Sequence, residues 1–449
     1  MRTIVEPKEN IVKLWGKQQI KNENTYRMMR YVMRVDDNDD VLLHNVVTGQ
    51  LIVLDTAEAK MLDHLPGKYC VTMAQLIDDH FLVPCDYDEH RQVVNMRTIL
   101  RKLAAAQRSA EIRHYTILPT SACNARCYYC FEHGMKTATM SQSTADNVVD
   151  FISTHCGKDK KVSIMWFGGE PTVAADRIDQ ISNGLKDKGI TFVSTMISNG
   201  YLFDEEMVNK AKSLWNLKRV QISVDGMEEH YNEVKNYVNA LDNPFIRVMR
   251  NIRLLLEKEI HVDLRMNFDI GNYKDFERLL KYATTYYKEY KGLKVYAYPV
   301  IGDYPDKTGK ILHGSDEWRR KTSIELNDRA RSAGMYQQKD ELPHLKYIGC
   351  SADQDNSVTI NPQGMLVECP EQFDECQSIG NLEEGIVNKE LVNQWKMIAD
   401  HERCRECVFF PRCVRLMNCS AKDNCYFEDR NKQFYEAVRR RFHERSIIK

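Results

Sequence analysis

Apolar positions along the chain change rhythm near residue 113. Before it, YVMRV (31–35), VLLHNV (41–46) and QLIVL (50–54) are short runs separated by DDNDD and VTG. Short apolar runs cut by turn-forming residues predict an antiparallel meander. AEAKMLDHL and TMAQLIDD read as short helices, broken at Pro66-Gly67, and FLV at 81–83 reads as one more strand. RQVVNMRTILRKLAAAQRS, 91–109, reads as a long helix. After residue 113 the runs RHYTILPT (113–120), KVSIMWF (161–167), ITFVSTMI (190–197), RVQISV (219–224), HVDLRMNF (261–268) and LKVYAYPV (293–300) read as strands. Between them lie helical stretches at 141–155, 174–187, 204–216, 243–259 and 273–290, the fourth carrying apolar residues at 245, 249, 252, 255 and 256. Six strands alternating with five helices predict a parallel sheet with helices outside, a partial (β/α)6 TIM-like barrel. The expected class is α/β, with a winged-helix-like segment before the barrel and a cysteine-rich segment after it. The expected division is 1–24 extension, 25–110 winged-helix-like domain, 111–310 barrel, 311–345 connector with a helix near 317–332, and 346–449 cysteine-rich domain with a closing charged helix.

Chemistry in such barrels gathers at the C-terminal ends of strands. The polar motifs of this chain fall there. SACNARCYYCF, 121–131, follows the first barrel strand and holds Cys123, Cys127 and Cys130. A structural zinc site takes four protein ligands, so this loop would need a fourth, with His114 and His133 close in sequence. A four-iron cube held by three thiolates instead keeps one iron open to a small chelating molecule. Gly168-Gly169-Glu170-Pro171 follows the second strand and sets a carboxylate where an ammonium group would pair with it. Ser198-Asn199-Gly200 would bond sugar hydroxyls, Ser223 and Arg265 stand on later strands whose alternating faces can line an interior, and Arg265 would hold a carboxylate. Together these groups would suit an amino acid linked to a nucleoside.

CNARCYYC resembles the cluster motif of the radical S-adenosylmethionine enzymes, with Tyr129 at the aromatic position before the last cysteine. Phe167 to Pro171 is similar to their GGE motif. The resemblance, over roughly 113–310, implies a [4Fe–4S] cluster on Cys123, Cys127 and Cys130. It implies S-adenosylmethionine on the open iron, with Gly168, Gly169 and Glu170 near the methionyl amino group, Ser198 and Asn199 near the ribose, and Ser223 and Arg265 near the carboxylate. Cofactor cleavage would give a 5′-deoxyadenosyl radical that abstracts a substrate hydrogen, with no conventional catalytic acid, base or nucleophile assigned.

Of the fourteen cysteines, eight lie between 350 and 425. GCSADQDNSVTINPQGMLVECPE and the run from Cys404 to Cys425 resemble the auxiliary-cluster extension called SPASM, with VTINPQGMLVEC as its hairpin. That likeness implies two more [4Fe–4S] clusters, one on Cys350, Cys369 and Cys419 and one on Cys404, Cys407, Cys413 and Cys425. Five residues separate Cys413 from Cys419 where the pattern has three, which leaves the assignment of Cys419 and Cys425 open; the first set has three members, so its fourth position is open to Cys376, a noncysteine group or a substrate thiolate. Cys70, Cys85 and Cys156 stand apart and read as plain small residues.

Strands followed by helices before the barrel resemble the precursor-recognition domain of enzymes that mature ribosomal peptides. An edge in YVMRV, VLLHNV or QLIVL would accept a leader strand by backbone pairing. The resulting expectation is a peptide maturase installing a cysteine thioether to a backbone or side-chain carbon, served by a flavodoxin- or ferredoxin-like electron donor. Alternatives are carbon–carbon crosslinking, sulfatase-maturing-type oxidation of Cys or Ser, and a zinc-stapled binding protein. Composition narrows the partners: 63 basic residues nearly cancel 64 acidic ones among 449, so no strong field draws the chain to nucleic acid or membrane. The start lacks a signal-peptide pattern and there is no apolar run of about 18 residues, so a cytoplasmic soluble protein is expected.

Overall fold

Polar turns cut the first apolar runs into seven strands: β1 (Arg2–Val5), β2 (Thr25–Met28), β3 (Val32–Asp37), β4 (Asp40–Asn45), β5 (Leu51–Leu54), β6 (Gly67–Lys68) and β7 (Leu82–Pro84). This is a computed structural model, which describes residues 1–107, 111–132, 134, 136–302, 305–306, 308–336, 342–420, 422, 425 and 427–446. Strands β1-β5-β4-β3 form one antiparallel sheet and β6-β2-β7 another. The β3–β4 hairpin turns with Asn38 at φ 54°, a conformation asparagine tolerates. Of the three runs expected to offer an edge, VLLHNV and QLIVL form interior strands, each hydrogen-bonded on both sides. Only β3 is an edge, the other end of this sheet being β1.

The chain divides into two compact units. The first joins 1–108 to 339–353 and 394–449. Its two cores lie on strands whose residues alternate between them. Val32, Leu43 and Ile52 pack with Leu345 and Phe410, whereas Met33, Leu42 and Val53 pack with Leu342, Phe409, Val438 and Phe442. Residues distant in sequence therefore complete the burial that the short meander lacks.

The second unit joins 109–338 to 354–393. Here β8 (His114–Thr120), β9 (Lys161–Gly168), β10 (Thr191–Ser198), β11 (Leu217–Ser223), β12 (His261–Phe268) and β13 (Leu293–Pro299) lie side by side in sequence order. All five pairings are parallel. The predicted helices intervene as Gln142–His155, Ala175–Asp187, Glu205–Ser213, Pro244–Glu257 and Asp275–Tyr286. Ser141 caps the first by accepting from Thr144 N at 3.0 Å. Burial alternates along the strands: Val162, Ile164 and Trp166 are buried, while Ser163, Met165 and Phe167 are half-buried. One face of the sheet is thus covered and the other lines a partly open interior. The strands of the SPASM-like hairpin extend this same sheet. β14 (Ser357–Ile360) pairs in parallel with β8, from Ser357↔His114 to Ile360↔Ile117. β15 (Met365–Val367), β16 (Gly380–Asn381) and β17 (Gly385–Ile386) follow it antiparallel.

The β9 corner fixes the site. Gly168 has φ 114°, and a Cβ there would lie 2.2 Å from Thr120 O. A Cβ on Gly169 would lie 2.6 Å from both Ser121 O and Ala122 O. Only bare backbone fits against the root of the cysteine loop. Gly169 N donates to Thr120 O at 3.2 Å and Glu170 N to Ala122 O at 3.0 Å. Gly169→Ala is expected to destabilise the fold by more than about 1 kcal/mol and to lower the iron retained after anaerobic reconstitution. Chemical denaturation and iron analysis check both, and an unchanged midpoint with full iron would contradict this reading of the corner.

Candidate functional site

The three thiols lie in the loop after β8, where a tight turn joins Cys127 to Cys130. Cys130 N donates to Cys127 O at 3.2 Å, and Cys123 Sγ accepts from Ala125 N at 3.3 Å. All three cysteines are half-buried and unpaired by disulfides. Burial pushes the Cys123 thiol up to about 12 and that of Cys127 up to about 11, and it raises Cys130 as well.

The GGE and SNG motifs brace this loop. Glu170 is fully buried. Its Oε1 accepts from Thr172 N (3.2 Å), Thr172 Oγ1 (2.5 Å) and Ser198 Oγ (2.8 Å), and its Oε2 from Asn199 N (2.6 Å). Burial nevertheless raises its pKa above the usual carboxylate value, against those four donors. Ser198 Oγ also accepts from Gly200 N at 2.9 Å. Asn199 Nδ2 donates to Asn124 Oδ1 at 2.6 Å and lies 3.8 Å from Cys123 Sγ. The ends of β9 and β10 are thereby tied to each other and to the first cysteine.

A second network lies on the other side of the loop. Tyr129 OH donates to Asp225 Oδ1 at 2.7 Å and accepts from Asn267 Nδ2 at 2.9 Å. Lys235 Nζ lies 2.8 Å from Asp225 Oδ2 and donates to Ser223 Oγ at 2.7 Å. Lys235 and Asp225 side chains are 2% and 0% exposed, so this is an ion pair without solvent. Burial opposes the charge on Lys235, but Asp225 and then Cys127 hold its pKa well above the ordinary lysine value. Lys235 closes a short helix, Glu228–Lys235, that the periodicity did not predict. In MEEHYNEVKN it reads as one charge on a solvated stretch, and nothing local marks it as buried. Arg265 faces Ser223 across β11–β12. Its guanidinium lies over the Tyr298 ring at 3.9 Å, with Nε buried and unbonded.

The predicted site residues Cys123, Cys127, Cys130, Tyr129, Gly168, Gly169, Glu170, Ser198, Asn199 and Ser223 therefore fall at or just past the strand ends of one sheet, whereas Arg265 lies within β12. His114 instead bonds Ser163 Oγ at the exposed start of β8, and His133 lies outside the described residues.

In the first unit, Cys404, Cys407, Cys413 and Cys425 line one cavity of about 350 Å³ with Phe409 and Phe410. Burial pushes the Cys407 thiol up to about 11 and raises Cys404. Cys350 and Cys419 belong to this unit too, and Cys350 is raised by burial with Cys419 adding to it. Cys369 follows β15 in the second unit, and Cys376 is exposed on the turn Glu375–Gln377.

The donor sets suit iron–sulfur cubes. Among the described residues, no three His, Cys, Asp or Glu side chains are grouped to hold a single ion. A cube spreads its thiolate ligands over separate corners, as three soft donors in a loop or four around a cavity would require. Binding iron to thiols held protonated by burial also compensates the charge that burial penalises.

Residues 117–283 match the radical SAM superfamily. A GTP 3′,8-cyclase of Clostridium perfringens is 24% identical over 270 residues, 58% of this chain and 80% of that protein. The structure of anSMEcpe with bound AdoMet and Cp18Cys peptide is similar at a TM-score of 0.56 and 18% identity, covering 75% of this chain and 99% of that one. Streptococcus suis SuiB bound to precursor peptide SuiA gives 0.53 at 14% identity, covering 90% and 96%. At such identities the solved structures speak for the fold. Sequence match, strand order and the three-thiol loop agree that this chain carries a radical SAM domain.

Proposed function

We propose that the chain is a radical S-adenosylmethionine maturase that installs an intramolecular crosslink in a ribosomally made precursor peptide, first of all a cysteine thioether to a backbone or side-chain carbon. The observation that carries this reading is the pairing of the three-thiol loop with a separate unit whose antiparallel sheet ends in the edge strand β3. Among the described residues β3 has one strand neighbour, so its outer backbone groups suit an added leader strand. The likeness to SuiB, solved bound to its precursor peptide, spans 90% of this chain and supports a peptide substrate.

Cys123, Cys127 and Cys130 would hold the first cluster, and the later cysteines two auxiliary ones. Bound there, such clusters would supply the electron that cleaves S-adenosylmethionine and a place for the electron that leaves the substrate. The chain's own residues do the positioning. Glu170, Ser198 and Asn199 fix the loop, Lys235 orients the Ser223 hydroxyl, and Ser223 with Arg265 gives the site a polar and a cationic group for a methionyl carboxylate. Forming a thioether removes one hydrogen atom, one proton and one electron from the peptide. A flavodoxin- or ferredoxin-like donor would supply the reducing electron.

Mass spectrometry of the precursor after turnover should show a loss of two hydrogens, one blocked thiol and 5′-deoxyadenosine alongside. Loss of two hydrogens with every thiol still alkylated would assign a carbon–carbon link, and a new aldehyde would assign oxidation of Cys or Ser. The similarity to GTP 3′,8-cyclases favours a second reading, a small nucleotide substrate. Turnover of GTP with an unchanged peptide would replace the first reading by the second. Replacing all three loop cysteines by alanine should abolish 5′-deoxyadenosine while peptide binding persists.

Lys235→Met should weaken S-adenosylmethionine binding at least about tenfold, or about 1.4 kcal/mol, measured by calorimetry on the reconstituted enzyme. Asp225→Asn leaves the buried ammonium without its carboxylate and should cost about 3–5 kcal/mol of stability, read by denaturation. Unchanged affinity in the first variant would remove Lys235 from the cofactor site.

A further inference from the structure

The 89–107 helix carries two arginines one turn apart that differ in their surroundings. Arg101 donates to Asp353 Oδ2 at 2.5 Å, so its charge is neutralised locally. Arg97 is 3% exposed and its partners are all backbone carbonyls. Its Nε donates to Lys346 O at 3.0 Å. Its Nη2 donates to Phe410 O (2.5 Å), Pro411 O (3.0 Å) and Cys413 O (2.8 Å). The guanidinium also lies 4.7 Å from the centre of the Phe410 ring. Among the described residues no carboxylate forms an ion pair with it. A buried charge without a counter-charge is costly, yet this one sits directly behind the loop that turns Cys413 into the four-cysteine cavity.

We propose that Arg97 is a positioning residue for that cavity: it fixes the Cys413 corner and supplies the buried positive charge against which an anionic iron–sulfur cluster is seated. This rests on reading the cavity as a cluster site. Four thiolates outweigh the charge of a cubane core, so a loaded cavity is the missing counter-anion for Arg97. Cluster potentials depend on nearby charge and hydrogen bonding. A fixed cation beside Cys413 favours the reduced, more negative cluster and raises its potential. The residue that does this belongs to the N-terminal meander's own long helix, so cluster seating and that domain share one interaction.

The test uses the full-length chain with Cys123, Cys127 and Cys130 replaced by alanine, reconstituted anaerobically, with Arg97→Gln and Arg97→Lys compared with arginine. Iron and sulfide are counted, potentials are titrated by electron paramagnetic resonance, and melting is followed before and after loading. In Arg97→Gln the equilibrium constant for reducing one cluster should fall at least tenfold, about 59 mV for one electron. Arg97→Lys, which keeps the charge but not the fork, should recover most of that fall. The gain in melting temperature on loading should shrink in Arg97→Gln, whereas a packing role alone would lower empty and loaded forms equally. An unchanged midpoint, or equal losses in both forms, overturns the proposal. If Cys404→Ala/Cys407→Ala costs no iron, the cluster reading itself fails and the proposal with it.

Discussion

The site depends on one close approach: the bare backbone of Gly168 and Gly169 against the carbonyls of Thr120, Ser121 and Ala122. β8 and β9 are neighbours, and their side chains would normally hold the two strand ends apart. Two glycines remove that obstacle at the point where the cysteine loop begins. Glu170 can then reach under β10, where Ser198 and Asn199 meet its carboxylate. Asn199 in turn reaches Asn124 and Cys123. The position of the first thiol is thus set by three strands, though it stands in a loop with no regular structure of its own.

Charge is the second constraint. The site buries thiols that resist ionisation. Next to them it buries an ammonium and a carboxylate that neutralise each other. The Lys235–Asp225 pair therefore holds dipoles in place without adding net charge, and Tyr129 and Ser223 are oriented by it. Deprotonating thiols buried in this way requires a nearby cation. A metal centre held by these thiols would displace their protons.

Much of this was legible in the sequence because it rests on period and punctuation. Strand-length apolar runs alternating with helical ones fixed the parallel order, and the glycine and cysteine motifs fell at strand ends as the barrel rule requires. What was not legible depends on contacts between distant residues. VLLHNV and QLIVL look like YVMRV in pattern, but only pairing decides that β3 alone among them is an edge. Lys235 and Arg97 look like ordinary helix charges. Their burial comes from Asp225 in one case and from the Phe410–Cys413 carbonyls in the other. Glu170 was legible by type, but not its four internal donors, which make it a brace for the loop.

The hairpin after residue 356 shows how Cys369 is tied to the first cysteines. β14 continues the barrel sheet in parallel with β8, the strand that leads into the Cys123 loop. Register on a sheet is specified by which face is buried, and Val358 and Ile360 are buried with Tyr115 and Ile117 in one core. A slip of one residue would turn these side chains to the opposite face. β15 is paired to β14 in turn, and Cys369 follows it by one residue beyond Glu368. The position of Cys369 relative to the first loop is therefore carried by a ladder of backbone hydrogen bonds. A hairpin that the sequence places in a separate cysteine-rich domain is, by pairing, the next strands of the barrel sheet.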